Sequence, residues 1–271
     1  MSLQRRFANG FSAGLNWNWV VSDKGNYGQA HRFEHVGGKV QPRSDWENEA
    51  LKLFEKQNVP THFFKGNFVW DLPDLHAGSG VGMTIVRNLI NDWQLSGIWT
   101  ADTGGWYNIG FSYQSNGGNV NLTGSPDYGA RIKIVGDTGR GCSSEQYRQF
   151  NTAAFAGPTY YSDGLESGDD YMKACATSIW DMALARNIRL GGTRNVQIRL
   201  EAFNVFNSAF VTGRQTTVQY NNPTSQTVVN NQYNDDGTLN QSRLTPNQAG
   251  FGAANGWSSP RTVQLQFRFS F

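Results

Sequence analysis

The chain has 271 residues and a net charge of +2, with 38% hydrophobic residues, 16% charged residues, and 31 Gly beside 17 Phe, 10 Tyr and 9 Trp. Disorder needs few aromatics and a strong net charge, so a disordered polyelectrolyte is excluded. The near balance of 23 basic against 21 acidic side chains gives no support to a phosphate-covered partner such as nucleic acid, and no apolar run reaches the roughly 18 residues of a membrane-spanning helix, a limit that says nothing of strands.

The first seven residues, Met1 to Phe7, carry two arginines with no apolar stretch behind them, so they do not read as a secretory signal, and none is expected within the chain. From Phe7 onward Phe11, Ala13, Leu15, Trp17, Trp19 and Val21 alternate with Ser12, Gly14, Asn16, Asn18 and Ser22. Period two places the bulky set on one side of a strand, and the run predicts a single strand of about fifteen residues, where soluble strands average about five or six. The connection that follows contains His31-Arg32-Phe33-Glu34-His35, which spells the two-histidine, one-glutamate pattern of zinc hydrolases. Zinc binding there requires a helix, and Gly25, Gly28, Gly37 and Gly38 bracket the motif as loop, so no metal is expected. Further on, Ser44-Asp45-Trp46-Glu47 has the spelling of a capping box and predicts a short amphipathic helix over 45–57.

A second strand sets Phe64, Gly66, Phe68, Trp70 and Leu72 against Phe63, Lys65, Asn67, Val69 and Asp71. After a modest connection, 73–91, whose Gly78, Gly80 and Gly82 lack the Gly-Lys-Ser/Thr of a phosphate loop, Trp93, Leu95, Gly97 and Trp99 alternate with Gln94, Ser96 and Ile98. The next connection is long and contains Cys142 and Cys175, which fit either one disulfide closed in an oxidising compartment or two free thiols. Its Asp169-Asp170 pair reads as solvated loop. Trp180, Met182 and Leu184 then oppose Asp181, Ala183 and Ala185, and beyond a short turn at Gly191-Gly192 the set Val196, Ile198, Leu200 and Ala202 opposes Gln197, Arg199 and Glu201. The third long connection, 207–260, is rich in Asn, Gln, Thr and Gly, and its Asp235-Asp236-Gly237 reads as a polar turn. The chain closes on Val263, Leu265, Phe267, Phe269 and Phe271 alternating with Thr262, Gln264, Gln266, Arg268 and Ser270.

Six strands of about ten to fifteen residues match the span of a tilted transmembrane β-strand, and strictly alternating short and long connections are the asymmetry of outer-membrane barrels. The expected fold is therefore all-β: an antiparallel transmembrane segment with three long extracellular loops, each unable to bury a core alone, and an open curved sheet when isolated. A secreted soluble β-sandwich that binds carbohydrate through Trp and Tyr is the alternative. No Ser-His-Asp grouping or other catalytic set can be inferred from spacing, so neither an enzyme nor a cofactor is expected.

Several segments, taken in order, resemble the C-terminal part of the barrel of Oar-like TonB-dependent outer-membrane receptors: Leu3-Gln4-Arg5-Arg6-Phe7 before Asn9-Gly10, Pro73, Asn91-Asp92-Trp93-Gln94-Leu95-Ser96-Gly97, Phe150-Asn151-Thr152-Ala153-Ala154-Phe155, Glu201-Ala202-Phe203-Asn204-Val205-Phe206-Asn207, and Ser259-Pro260-Arg261 ahead of Gln264-Leu265-Gln266. The resemblance implies a 22-stranded barrel, a plug, a TonB-contacting segment and energised uptake of a scarce nutrient such as a glycan, peptide or metal chelate, in the outer membrane of a Gram-negative type cell. Residues 1–271 would form one C-terminal piece of that barrel, without plug or signal peptide. Its partners would be outer-membrane lipid, the remaining barrel strands and plug, the assembly machinery, and TonB only through the plug. Leu265, Phe267, Phe269 and Phe271 match the terminal assembly signal of such barrels. Asp181, Arg199, Glu201, Gln264, Gln266 and Arg268 are expected to face the lumen, because a charge pointing at lipid costs up to about 2 to 4 kcal/mol at the midplane.

Overall fold

A computed structural model of the chain describes residues 1–21, 35–36, 39–40, 45–46, 49, 53, 59–76, 78, 80–114, 121–126, 128–244 and 246–271. Its main element is one antiparallel sheet of seven strands: β1 (Ser2–Ala8), β2 (Phe11–Trp19), β3 (His62–Asp71), β4 (Trp93–Asp102), β5 (Thr177–Gly191), β6 (Arg194–Phe203) and β7 (Thr262–Ser270). Each pairs with its sequence neighbour, and among the described residues β1 and β7 are free edges that do not pair with each other, so the sheet is open.

The run expected as one strand from Phe7 to Val21 is a hairpin. Asn9 and Gly10 both have positive φ, 52° and 73°, and Ala8 pairs with Phe11 across this two-residue turn. Asn-Gly is the strongest short hairpin signal because its residues tolerate the left-handed conformation that a turn matched to strand twist demands. The alternation nevertheless looks continuous in sequence. A register shift between Arg5 and Ala8 absorbs one residue, so Leu3 still pairs with Leu15 and odd positions stay on one face on both sides of the turn. The sheet thus has seven strands in place of six.

The register aligns the apolar positions in rows. Phe11, Trp70, Leu95, Leu184, Leu200 and Leu265 lie in successive pairing across six strands. The glycines in this set are covered by rings from across the strand: a Cβ on Gly66 would meet the Trp99 ring at 3.3 Å, and one on Gly97 would collide with Phe68. Among the described residues no second layer packs on this face. Leu265 is 56% exposed, Phe267 67% and Trp19 58%, values incompatible with the inside of a sandwich.

The buried core lies elsewhere, among the long connections. Ile109, Tyr113, Leu122, Ile132, Phe150, Phe155, Met172, Val218, Tyr220 and Phe251 form one cluster drawn from residues 103–176 and 207–260. A parallel pairing of Gly110–Tyr113 with Thr217–Tyr220 joins the two loops, and smaller antiparallel pairs close each of them internally. Neither loop buries this core by itself, but together they build a packed head. Asp169, expected as solvated loop, instead forms an ion pair with Arg131 and accepts a hydrogen bond from Asn108 Nδ2 at 3.2 Å.

The connection between β3 and β4 contains a helix, Val81–Ile90, which the glycines flanking it obscured. Of the helix expected over 45–57, Asp45, Trp46, Glu49 and Leu53 are helical and the other positions lie outside the described residues.

Candidate functional site

The apolar face ends in aromatic belts. At the end bearing the long loops, rings follow one another across the sheet: Trp19 on Trp17 (6.3 Å between centroids), Trp17 on Phe64 (6.3 Å), Phe64 on Trp99 (5.8 Å), Trp99 on Trp180 (5.7 Å) and Trp180 against Phe206 (6.4 Å). The polar edges of these rings are partly satisfied within the belt. Trp17 Nε1 donates to His62 Nδ1 at 3.2 Å and Trp99 Nε1 donates to Ser178 Oγ at 3.0 Å. At the opposite end stand Trp70, Trp93, Phe269 and Phe271, the last two 5.8 Å apart. A ten-residue strand such as β3 rises about 33 Å and, tilted as barrel strands are, spans roughly the 25 Å of an outer-membrane apolar band.

The other face is polar and internally bonded. Arg199 Nε donates to Glu201 Oε1 at 2.7 Å, and Gln264 Nε2 donates to the other oxygen of the same carboxylate. Gln266 pairs opposite Arg199, and Arg268 opposite Gln197. Gln94 Nε2 reaches Asp71 Oδ1 at 2.8 Å, and Gln197 Nε2 reaches Asn187 Oδ1 at 3.1 Å. Asp181 lies on the same face at the long-loop end, where its Oδ1 accepts from the backbone N–H of Asn204 at 2.8 Å. A recess of about 360 Å³ in this wall is lined by Asn67, Ser96, Asp181, Arg199 and Glu201 among others. The structure therefore joins Arg199, Glu201 and Gln264 directly, adds Gln266 and Arg268 by register, and employs Asp181 at a corner.

The model of the family described as outer membrane beta barrel domain matches residues 1–264. The chain belongs to that family. An apolar face that no other layer covers among the described residues, belted by aromatics at both ends, is what such a domain turns towards outer-membrane lipid. No curated protein and no solved structure matches the chain.

On this outer-membrane β-barrel domain the loop head is tied by a disulfide between Cys142 and Cys175, with Cα atoms 5.1 Å apart. A recess of about 500 Å³ beside it is lined by Arg140, Tyr171 and Lys173 with the two half-cystines. Burial pushes the Tyr107, Tyr113 and Tyr220 hydroxyls up to about 12, and raises that of Tyr171. These phenols serve packing: Tyr107 donates to the Gly141 carbonyl at 2.6 Å, and Tyr113 to that of Pro158.

Four asparagines of the segments singled out in the sequence, Asn91, Asn151, Asn204 and Asn207, sit at corners between elements. Asn204 is buried at 6% exposure with φ 51°. Its Nδ2 donates to the carbonyls of Ser208 and Ser259, both at 3.0 Å, and its Oδ1 accepts from Ser208 N at 2.8 Å, so one amide clamps the exit of β6 to the entry of β7. Asn207 Oδ1 accepts from the N–H of Arg261 at 3.0 Å. Asn91 exchanges two hydrogen bonds with the Leu75 backbone, and Asn151 caps the turn Thr152–Ala154 through Ala153 N at 3.2 Å. Among the described residues no cluster of His, Cys, Asp and Glu is suited to a metal. The His31 to Glu34 stretch lies outside them. Asp236 is a turn residue: Thr238 donates to its carboxylate from both N (2.9 Å) and Oγ1 (2.6 Å), which holds that carboxyl below the usual range.

Proposed function

We propose that the chain is the C-terminal portion of a TonB-dependent, Oar-like receptor in a Gram-negative type outer membrane, supplying barrel wall and loops for energised uptake of a scarce nutrient. The observation that carries this reading is the combination of an open lipid-facing sheet with a disulfide-tied head of long loops, which leaves both sheet edges for further strands and presents a rigid surface on one side. In that reading the wall residues Asp181, Arg199, Glu201, Gln264, Gln266 and Arg268 face a lumen filled by the plug. TonB acts only through that plug. Leu265, Phe267, Phe269 and Phe271 form the terminal signal by which the assembly machinery engages the free edge of β7, since an unpaired amphipathic strand can be captured by strand addition.

The chemistry is transport without catalysis, and no cofactor is assigned. A soluble carbohydrate-binding sandwich is not favoured, because its apolar face would need a second sheet. The test is growth on single glycan or peptide sources of three strains: intact, lacking this gene, and lacking TonB. The reading requires both deletions to abolish growth on the same source. A gene deletion without such a phenotype, or one that TonB loss does not share, refutes it.

A further inference from the structure

The helix Val81–Ile90 leaves its apolar residues in the open at the short-connection end of the sheet. Val81 is 81% exposed, Ile85 56%, Leu89 63% and Ile90 49%, whereas Met83 and Arg87 turn inward. At 100° per residue these four and Val86, 40% exposed, fall within one half of the helix, with Thr84, also exposed, outside that half. A helix packed for its own stability would bury this half.

The helix is coupled to the lipid-facing sheet. The Leu89 carbonyl accepts from Trp93 Nε1 at 2.9 Å and from an Arg186 guanidinium nitrogen at 3.4 Å, and that guanidinium lies 5.8 Å from the Trp93 ring centre. Trp93 and Arg186 pair directly in the apolar rows. Arg5, also in those rows, stands over Phe11 at 5.1 Å, close to the short turn. Cations on a lipid-facing surface are tolerated where they reach the headgroup layer, and indoles concentrate there too.

We propose that Val81–Ile90 is an interfacial helix that lies in the membrane plane with Val81, Ile85, Leu89 and Ile90 in the acyl boundary, while Arg186 binds the phosphate of a phospholipid headgroup. The occupant is phospholipid because the exposed half is continuous, through Trp93 and Arg186, with the lipid-facing rows. An amphipathic helix with an exposed apolar half and an adjoining cation meets the physical requirements for interfacial binding. The inference rests on those rows contacting hydrocarbon.

The test uses the full chain in phosphatidylethanolamine–phosphatidylglycerol vesicles, with the native disulfide kept oxidised and a nitroxide placed at Leu89→Cys, Thr84→Cys or Leu265→Cys. Collision rates with oxygen and with a water-soluble nickel chelate report depth. The inference predicts an oxygen-favoured, nickel-shielded label at position 89, the reverse at 84, and hydrocarbon at 265. Equal nickel access at 89 and 84 with hydrocarbon at 265 overturns the helix inference and leaves the sheet assignment standing; water at 265 overturns both. Native mass spectrometry of Arg186→Gln and Arg186→Lys adds a second readout: retained phospholipid should fall several-fold in the first and recover in the second, and equal retention in both overturns the phosphate contact.

Discussion

Substituting arginine at adjacent positions of β7 separates the two faces of the sheet. Leu265 is the fourth of the nine residues of β7, pairs with Leu200, and is 56% exposed on the apolar face. If hydrocarbon covers that face, Leu265→Arg places a guanidinium well inside the band, at a cost of about 2 to 4 kcal/mol. Gln266 points the other way and pairs with Arg199, so Gln266→Arg sets two like charges opposite each other, a penalty of about 0.2 to 1 kcal/mol that nearby Glu201 reduces. The difference, about 1 to 4 kcal/mol, corresponds to roughly one to three orders of magnitude in the folding equilibrium in vesicles. Urea titration of the vesicle-folded variants, followed by the slower-migrating unheated band on gels, reads that difference. Equal midpoints, or a larger loss for Gln266→Arg, would refute the facing argument.

Three further outcomes follow from the head and the corners. Replacing both Cys142 and Cys175 by Ser releases a loop of 33 residues' separation, which should lower head stability by about 3 to 4 kcal/mol in the chain-entropy model, seen as faster proteolytic cleavage within 103–176 while the sheet stays protected. Asn204→Ala removes the clamp's three side-chain hydrogen bonds and strains a positive-φ position, and should cost about 2 to 3 kcal/mol by the same titration; Asn204→Gly, which relieves only the strain, should recover part of it. Burial raises the Tyr107, Tyr113 and Tyr220 hydroxyls from 10.0 to about 12, so the fold holds their protons more tightly than the unfolded chain does. Their contribution to stability is complete below about pH 10 and is lost as pH rises towards 12. Tyrosinate absorbance should show these three lagging the exposed tyrosines, and a single titration near pH 10 for all would contradict their burial.

The sheet was legible because its signal repeats. Period-two alternation in β3 through β7 gave the facing of every row, down to Gly66 and Gly97, whose lack of a side chain is filled by Trp99 and Phe68 from neighbouring strands. The first hairpin escaped for a specific reason: the bulge between Arg5 and Ala8 restores the parity that a two-residue turn would break, so alternation passes through Asn9-Gly10 unchanged, although the dipeptide itself announces the turn. The helix Val81–Ile90 had its own trace in the four-residue spacing of Val81, Ile85 and Leu89, masked by Gly78, Gly80 and Gly82. The loop head left no comparable trace, since its core joins residues as far apart as Ile109 and Phe251 through irregular backbone, and no local period encodes such contacts. The polar-wall residues could be placed by face from alternation alone. Which of them bond, as Arg199, Glu201 and Gln264 do, depends on the pairing of β6 with β7.

Tryptophan fluorescence in vesicles tests the contact with lipid most directly. Six of the nine tryptophans, Trp17, Trp19, Trp70, Trp93, Trp99 and Trp180, lie in the apolar rows, whereas Trp46, Trp106 and Trp257 belong to the loops. Folding the chain into bilayers of lipids brominated along their acyl chains should quench most of the emission, while aqueous iodide reaches only the loop indoles. Emission that bromolipids leave untouched and iodide quenches throughout would place those rows in water and contradict the membrane assignment.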